Sequence, residues 1–151
     1  PVVVVLVAYT EKIKPQIDKL PVQIVENPHW ETGMASSIRA GIDSINQSDS
    51  NLDAVIIALA DQPLINATVF DRLIQNYQEM GNIIIASAYD EIVGVPALFN
   101  CALFPELMQL EGDKGAKALM GKYRDEILAI KIPEAVIVID TPDDYEELLS
   151  F

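Results

Sequence analysis

The chain has 151 residues, half of them hydrophobic, which suffices for one substantial core within the size of a single domain. Ten basic residues face twenty-three acidic ones, a formal charge of -13. That balance repels nucleic-acid phosphates and anionic membrane surfaces alike, and neither is expected as a partner. The lone cysteine, Cys101, excludes an intrachain disulfide, and its setting in FNCALF predicts a small buried thiol. The apolar runs are too short to span a bilayer and no signal segment opens the chain, so a cytoplasmic location is expected. The chain begins at Pro1 without an initiator methionine and enters an apolar strand at once, which reads as a fragment or a processed form.

In chain order, apolar β-rich runs at Val2–Val7, Val22–Val25, Val55–Leu59 and Ile83–Ala86 predict strands. They do not alternate with polar residues, as expected of parallel strands covered on both faces. Met34, Ile38, Ile42 and Ile45 recur at helical spacing within Met34–Asn46. Asn66 is placed to cap a second helix whose buried stripe would be Phe70, Leu73, Ile74 and Tyr77. Pro96–Asn100 reads as a short strand running into a helix at Cys101–Leu110. A further helix is expected at Lys114–Lys122, after the turn Glu111-Gly112-Asp113. Ile127–Ile132 and Val136–Ile139, three residues apart, suit a hairpin and so an antiparallel strand. Thr141 as cap and Pro142 at the first position start the last helix, with Asp143, Asp144, Glu146 and Glu147 near its positive end. The pattern predicts an α/β fold, a Rossmann-like three-layer sandwich with a mostly parallel sheet and at least one antiparallel strand.

Two segments carry candidate chemistry. In AVIIALADQPL an apolar strand stops at Asp61-Gln62-Pro63, which delivers a carboxylate to the carboxyl edge of a central strand, where open α/β sheets bind ligands. A carboxylate there holds Mg²⁺ against phosphate oxygens, or else it opens a turn before proline. Asp140 poses the same choice, since it follows an apolar run and precedes a Thr-Pro helix start. In NPHWETGMASSIRAG a loop with Asn27, Pro28 and Gly33 feeds a helix whose first turn offers Ser36, Ser37 and backbone amides to a polar or anionic group, or uses them for capping and packing. Trp30 reads as a partly buried anchor and His29 as a solvated loop residue. One histidine and one cysteine build neither a Cys/His metal site nor a Cys-His catalytic pair.

Several motifs in order, NPHWETGMASSIRAG, LADQPL, VGVPALF, ALFPEL, GDKGAKAL and DTPDDYEEL, make the chain resemble the MobA-like nucleotidyltransferases, in particular the molybdenum cofactor cytidylyltransferases. The resemblance implies transfer of CMP, or another NMP, from a nucleoside triphosphate to molybdopterin or its molybdenum-loaded form, with release of pyrophosphate. It makes Asp61 the Mg²⁺ ligand, with Asp140 a second candidate. Gly33, Met34, Ser36 and Ser37, together with Asp61, Gln62 and Pro63, would face the nucleotide, CTP by preference. Gly94, Pro96, Asp113, Lys114 and Gly115 would line the acceptor side.

The chain departs from the family pattern in several places. Nothing in it matches the family's glycine-rich LAAGxSxRMGxxK loop, and Val7, Ala60, Val95 and Val138 stand at usual glycine or polar positions. A single domain lacking its first strand and phosphate-binding loop is therefore expected, with an exposed sheet edge that invites a homodimer. The alternative is a non-catalytic binding or scaffolding domain of the same fold.

Overall fold

A computed structural model describes residues Pro1–Phe151. The chain forms two units, Pro1–Val55 with Asn100–Lys122, and Ile56–Phe99 with Tyr123–Phe151.

In the first unit, β1 (Val3–Leu6) pairs in parallel with β2 (Gln23–Glu26), Val3 opposite Gln23. Parallel neighbours need a crossover, and α1 (Thr10–Ile17) supplies it. Helix α2 (Met34–Ser48) buries Ala35, Ser36, Ile38 and Ile42. The apolar stripe is thus shifted by one residue from its expected start, and Met34 is 47% exposed. At Gly41 the helix lies so close to β1 that an added Cβ would sit 3.2 Å from the Val5 side chain. Asn100–Lys122 does not make two long helices. A 3-10 turn at Cys101–Leu103 leads into the short α4 (Phe104–Leu107), and α5 starts only at Lys117 and ends at Lys122. Gly112 and Gly115, both at positive φ, hold the intervening chain out of helix. Leu103, Leu107, Leu119 and Met120 are buried, whereas Cys101 is exposed, contrary to expectation. Cys101 opens the turn, where the chain is still at the surface, and its amide donates to the Asp53 carbonyl at 2.8 Å.

The second unit is built on a sheet of order β3-β5-β4-β6, with β3 at Ala54–Ile57, β4 at Ile84–Tyr89, β5 at Ile92–Asn100 and β6 at Ile127–Lys131. Strand β3 therefore lies at the edge of its sheet and not at the centre. It stops at Ile57, and Ala58, Leu59 and Ala60 are exposed. Ile84, Ile85, Ala86, Ala97, Leu98 and Phe99 are no more than 2% exposed, so β4 and β5 are covered on both faces. Each fully buried Ile, Leu or Phe side chain there contributes roughly 1.5–3 kcal/mol.

The antiparallel strand is real but lies elsewhere than expected. Strands β4 and β5 pair antiparallel through the Asp90-Glu91 turn, in which Asp90 takes a positive φ. Strand β6 instead runs parallel to β4. No hairpin joins Ile127–Ile132 to Val136–Ile139, because Pro133, which has no N–H to give a ladder, starts a 3-10 turn through Val136. Helix α3 (Ala67–Met80) is capped by Asn66, whose side chain accepts from the Thr68 and Val69 amides. Its buried residues are Val69 and Leu73, and Ile74 faces outward at 40% exposure. Helix α6 (Pro142–Leu149) begins with a Thr141–Asp144 capping box. With β1–β2 and β4–β6 parallel and β4–β5 antiparallel, the fold is α/β with mostly parallel pairing. No helix is long and apolar enough to cross a membrane.

Candidate functional site

In the first unit, Gly33 lies against Gly112 and Asp113, and Met34 against Gly115. The Ala35 amide donates to the Gly112 carbonyl at 3.1 Å, and the Ser36 amide to the Gly33 carbonyl at 3.1 Å. Two amides of the first turn of α2 are therefore already engaged. A Cβ on Gly33 would fall 2.4 Å from the Gly112 carbonyl carbon and 2.8 Å from Asp113 Oδ1. At Gly115 an added Cβ would meet Met34 Sδ at 2.9 Å. The sequence motifs around GMASS and GDKGA thus pack against each other. Arg39 secures its base by donating to the Leu110 carbonyl. The helical periodicity marks Arg39 only as an outward position, so this anchoring role has no local sequence signal.

Asn27 organises the loop before α2. It is 4% exposed, and its Nδ2 donates to Ser36 Oγ at 2.8 Å and Ser37 Oγ at 3.0 Å, while its Oδ1 accepts from the His29 amide at 2.9 Å. Ser36 Oγ lies within donating distance of the Gly33 and His29 carbonyls as well, at 2.8 and 3.1 Å. With one proton to donate and Asn27 donating to it, the buried Ser36 hydroxyl is committed to holding the loop. Ser37 and the exposed Met34 and Lys114 remain more accessible to a ligand. His29 is exposed, as expected of a solvated loop residue, whereas Trp30, expected as a partly buried anchor, is exposed at 41%.

In the second unit, Asp61 lies four residues past the carboxyl end of β3, in a turn. Its Oδ1 is withdrawn from solvent and has no hydrogen-bond partner. An ionised carboxylate oxygen left buried and unpaired is costly, and a cation or a ligand donor would satisfy it. The Ile139 amide donates to the Asp61 carbonyl at 2.8 Å. That bond keeps the Cα atoms of Asp61 and Asp140 within about 10 Å by backbone reach. Asp140 itself is exposed, and its amide donates to Asp144 Oδ2 at 3.0 Å.

Gln62 is 5% exposed and its Nε2 donates to the carbonyls of Val95, at 3.3 Å, and Ala135, at 3.0 Å. Gly94 and Pro96 are buried in β5, whereas Pro63 is exposed. A Cβ on Gly94 would sit 3.0 Å from the Tyr89 hydroxyl.

Tyr89 and Glu134 are residues that motif reading does not find. Burial pushes the Tyr89 phenol above its ordinary 10.0, while a hydrogen bond with Gln62 opposes the rise and the Asp61 charge adds to it. Tyr89 also lines a cavity of about 320 Å³ with Ala88, Asp90, Lys131, Pro133 and Val136. Glu134 holds a second buried carboxylate oxygen without a partner, beside the Ala135 carbonyl that receives Gln62. Both stand where an apolar run turns polar, Tyr89 before Asp90-Glu91 and Glu134 after Ile127–Ile132 and Pro133, and that is the local signal they carry.

Residues 1–127 match the family model of the MobA-like NTP transferase domain. Nicotine blue oxidoreductase of Paenarthrobacter nicotinovorans is 28% identical over 127 residues, covering 79% of this chain and 59% of that protein. Purine catabolism protein PucB of Bacillus subtilis is 26% identical over 119 residues, covering 77% of this chain and 56% of that protein. The chain thus spans somewhat more than half the length of these relatives. Among solved structures, Rv0371c of Mycobacterium tuberculosis in complex with manganese superposes with a TM-score of 0.74 at 24% identity, covering 99% of this chain and 77% of that one. A family match that runs through both the Gly33–Ser37 segment and the Asp61–Pro63 turn leads to one conclusion: the chain belongs to the MobA-like NTP transferase domain family.

Proposed function

We propose that this chain is a nucleotidyltransferase domain that transfers CMP, or another nucleoside monophosphate, from its triphosphate to molybdopterin or molybdenum cofactor, releasing pyrophosphate. The observation that carries the reading is Asp61, placed past the end of β3 with a buried oxygen that no protein group satisfies. An oxygen of this kind fits a hard divalent cation, Mg²⁺ by preference. The manganese complex of the structural neighbour supports a divalent ion for this chain as well. When bound, the ion would neutralise charge on the phosphates, with Asp61 as ligand and Asp140 as a second candidate. The protein's own part is positioning. Asn27 and Ser36 lock the loop before α2, so that Met34 and Ser37 present a fixed surface to the nucleotide, and the buried Gly33 serves by letting the Gly112 turn pack against the helix start. By the family resemblance Gly94 and Pro96 of the second unit are assigned to the acceptor, and so, separately, is the Asp113–Gly115 turn of the first unit. No nucleophile of the protein is needed, because an acceptor phosphate attacks the α-phosphorus and pyrophosphate leaves. A cytoplasmic setting and pairing of two copies through the free sheet edges complete the proposal.

The test is pyrophosphate release from CTP with Mg²⁺ and molybdopterin, on the chain alone and with a glycine-rich phosphate-binding segment joined upstream of Pro1. The chain alone is expected to turn over poorly, since a protein at -13 with no LAAGxSxRMGxxK match offers little to offset a triphosphate. In the extended form Asp61→Asn is expected to lower the rate about 10²-fold or more, in line with other losses of charge stabilisation. Stability should be unchanged or improved, because the lost charge had a buried, unpaired oxygen. Full activity in Asp61→Asn refutes the assignment. Silence of the extended form with every nucleotide favours the scaffolding alternative.

A further inference from the structure

The β4–β5 ladder contains an irregularity beside the candidate site. Ala86 pairs with Ala97, but Ser87 pairs with Gly94, so Val95 and Pro96 stand opposite no residue of β4. Two carbonyls therefore leave the ladder, and each is taken by a side chain. Ser87 Oγ donates to the Pro96 carbonyl at 2.6 Å, fully buried, and Gln62 Nε2 donates to the Val95 carbonyl at 3.3 Å. The same Gln62 nitrogen donates to the carbonyl of Ala135, which is 0% exposed in the turn that leads toward Asp140. Next to Gln62, the Asp61 carbonyl accepts from the Ile139 amide.

Besides its hydrogen bond with Tyr89 of β4, and with its Oε1 buried and unpartnered, one amide group thus joins three pieces of chain. These are the turn carrying Asp61, the β5 bulge carrying Gly94 and Pro96, and the segment that delivers Asp140. We propose that Gln62 is a positioning residue, whose buried amide sets the placement of the Asp61 carboxylate against the Gly94–Pro96 wall and Asp140, instead of contacting nucleotide. The proposal rests on the functional reading above. Its physical basis is that a side chain lacking donors would leave the buried Ala135 carbonyl and the partly buried Val95 carbonyl unpaired, and the bulge and the Pro133–Val136 turn would move to find water.

The experiment uses Mn²⁺ as the probe, with binding followed by electron paramagnetic resonance and amide exchange of Ile139 followed by NMR. Gln62→Met keeps the bulk without donors. Leu73→Ala, a buried change on α3 outside the network, serves as the destabilised control. Gln62→Glu, which keeps length but replaces the donor nitrogen by an acceptor, provides the same comparison should Gln62→Met fail to fold. In Gln62→Met, Mn²⁺ affinity is expected to fall about 10-fold to 100-fold, as for other residues that orient a metal ligand. Ile139 exchange should quicken, while Leu73→Ala keeps Mn²⁺ affinity and changes exchange only as its global stability dictates. Unchanged affinity and protection in the Gln62 variants, or equal changes in Leu73→Ala, overturn the proposal. If the wild-type chain binds no Mn²⁺, the metal reading fails separately. Exchange at Ile139 then decides alone: faster in the Gln62 variants than their stability explains supports positioning, and no such excess refutes it.

Discussion

Replacing Gly33 by alanine is expected to loosen the packed element formed by the start of α2 and the Gly112–Gly115 turn. Gly33 has φ 115° and ψ 170°, a region open essentially to glycine alone, so the backbone term by itself is about 1–3 kcal/mol. The new methyl would lie 2.4 Å and 2.5 Å from the carbonyl carbon and oxygen of Gly112, and backbone there must retreat. Retreat sacrifices the Ala35 to Gly112 hydrogen bond, about 1 kcal/mol more. The sum of roughly 2–4 kcal/mol corresponds to a fall in melting temperature of roughly 5 to 15 °C for a chain of this size. Urea and thermal unfolding followed by circular dichroism measure it. Gly112→Ala is the control, since a Cβ there meets nothing within 4 Å and only the positive φ of 72° is strained. That variant is expected to lose about 1–2 kcal/mol. The reasoning fails if Gly33→Ala unfolds like the wild type, or is no less stable than Gly112→Ala.

Further expectations concern the last helix and the thiol. The Asp144 carboxylate is held below its ordinary 3.8 by its hydrogen bond with Thr141 and by the Asp140 and Thr141 amides. Because the folded value is the depressed one, the cap of α6 contributes fully above pH 3.8 and is lost as pH falls through the lower folded value. NMR shifts of the Asp140 and Thr141 amides should therefore titrate below pH 3.8, and a midpoint at or above it contradicts the capping geometry. Cys101, exposed at the start of its turn, should react with an aromatic disulfide reagent in the native state at a rate unaffected by low urea. Reaction only on unfolding would return it to the buried class.

Where local chemistry decides structure, the residues were legible. Asn66 and Thr141 cap their helices because a side-chain oxygen two or three residues before a free amide is a local arrangement. The apolar runs at β1, β2, β3 and β4 are strands, as their composition suggests, but only β4 among them is covered on both faces, whereas β2 has exposed ends and β1 and β3 are mostly half-buried. The polar Asp61-Gln62-Pro63 follows such a run, but β3 is an edge strand and not a central one, and Asp61 lies in a turn four residues past its end, with one buried oxygen unsatisfied.

Tertiary partners decided the rest. Ile127–Ile132 and Val136–Ile139 are as suitable for a hairpin as any pair of apolar runs, but β6 takes β4 as a parallel neighbour and Pro133 turns the chain away. Cys101 has apolar sequence neighbours and is nevertheless exposed, since burial depends on which side of a turn faces the core. The same distinction separates Asp61 from Gln62. A strand end announces that a carboxylate is present, but only the bulge in β5 and the turn at Ala135, 33 and 73 residues away, determine that the adjacent amide is buried and holds two carbonyls. Sequence by itself determined the family and those elements that carry a local cap or an apolar run, but not the short turns and helices of Cys101–Lys122 or the turn at Pro133–Val136. Which of those elements pair, and which polar groups are spent inside the protein, depended on long-range contacts that no local pattern encodes.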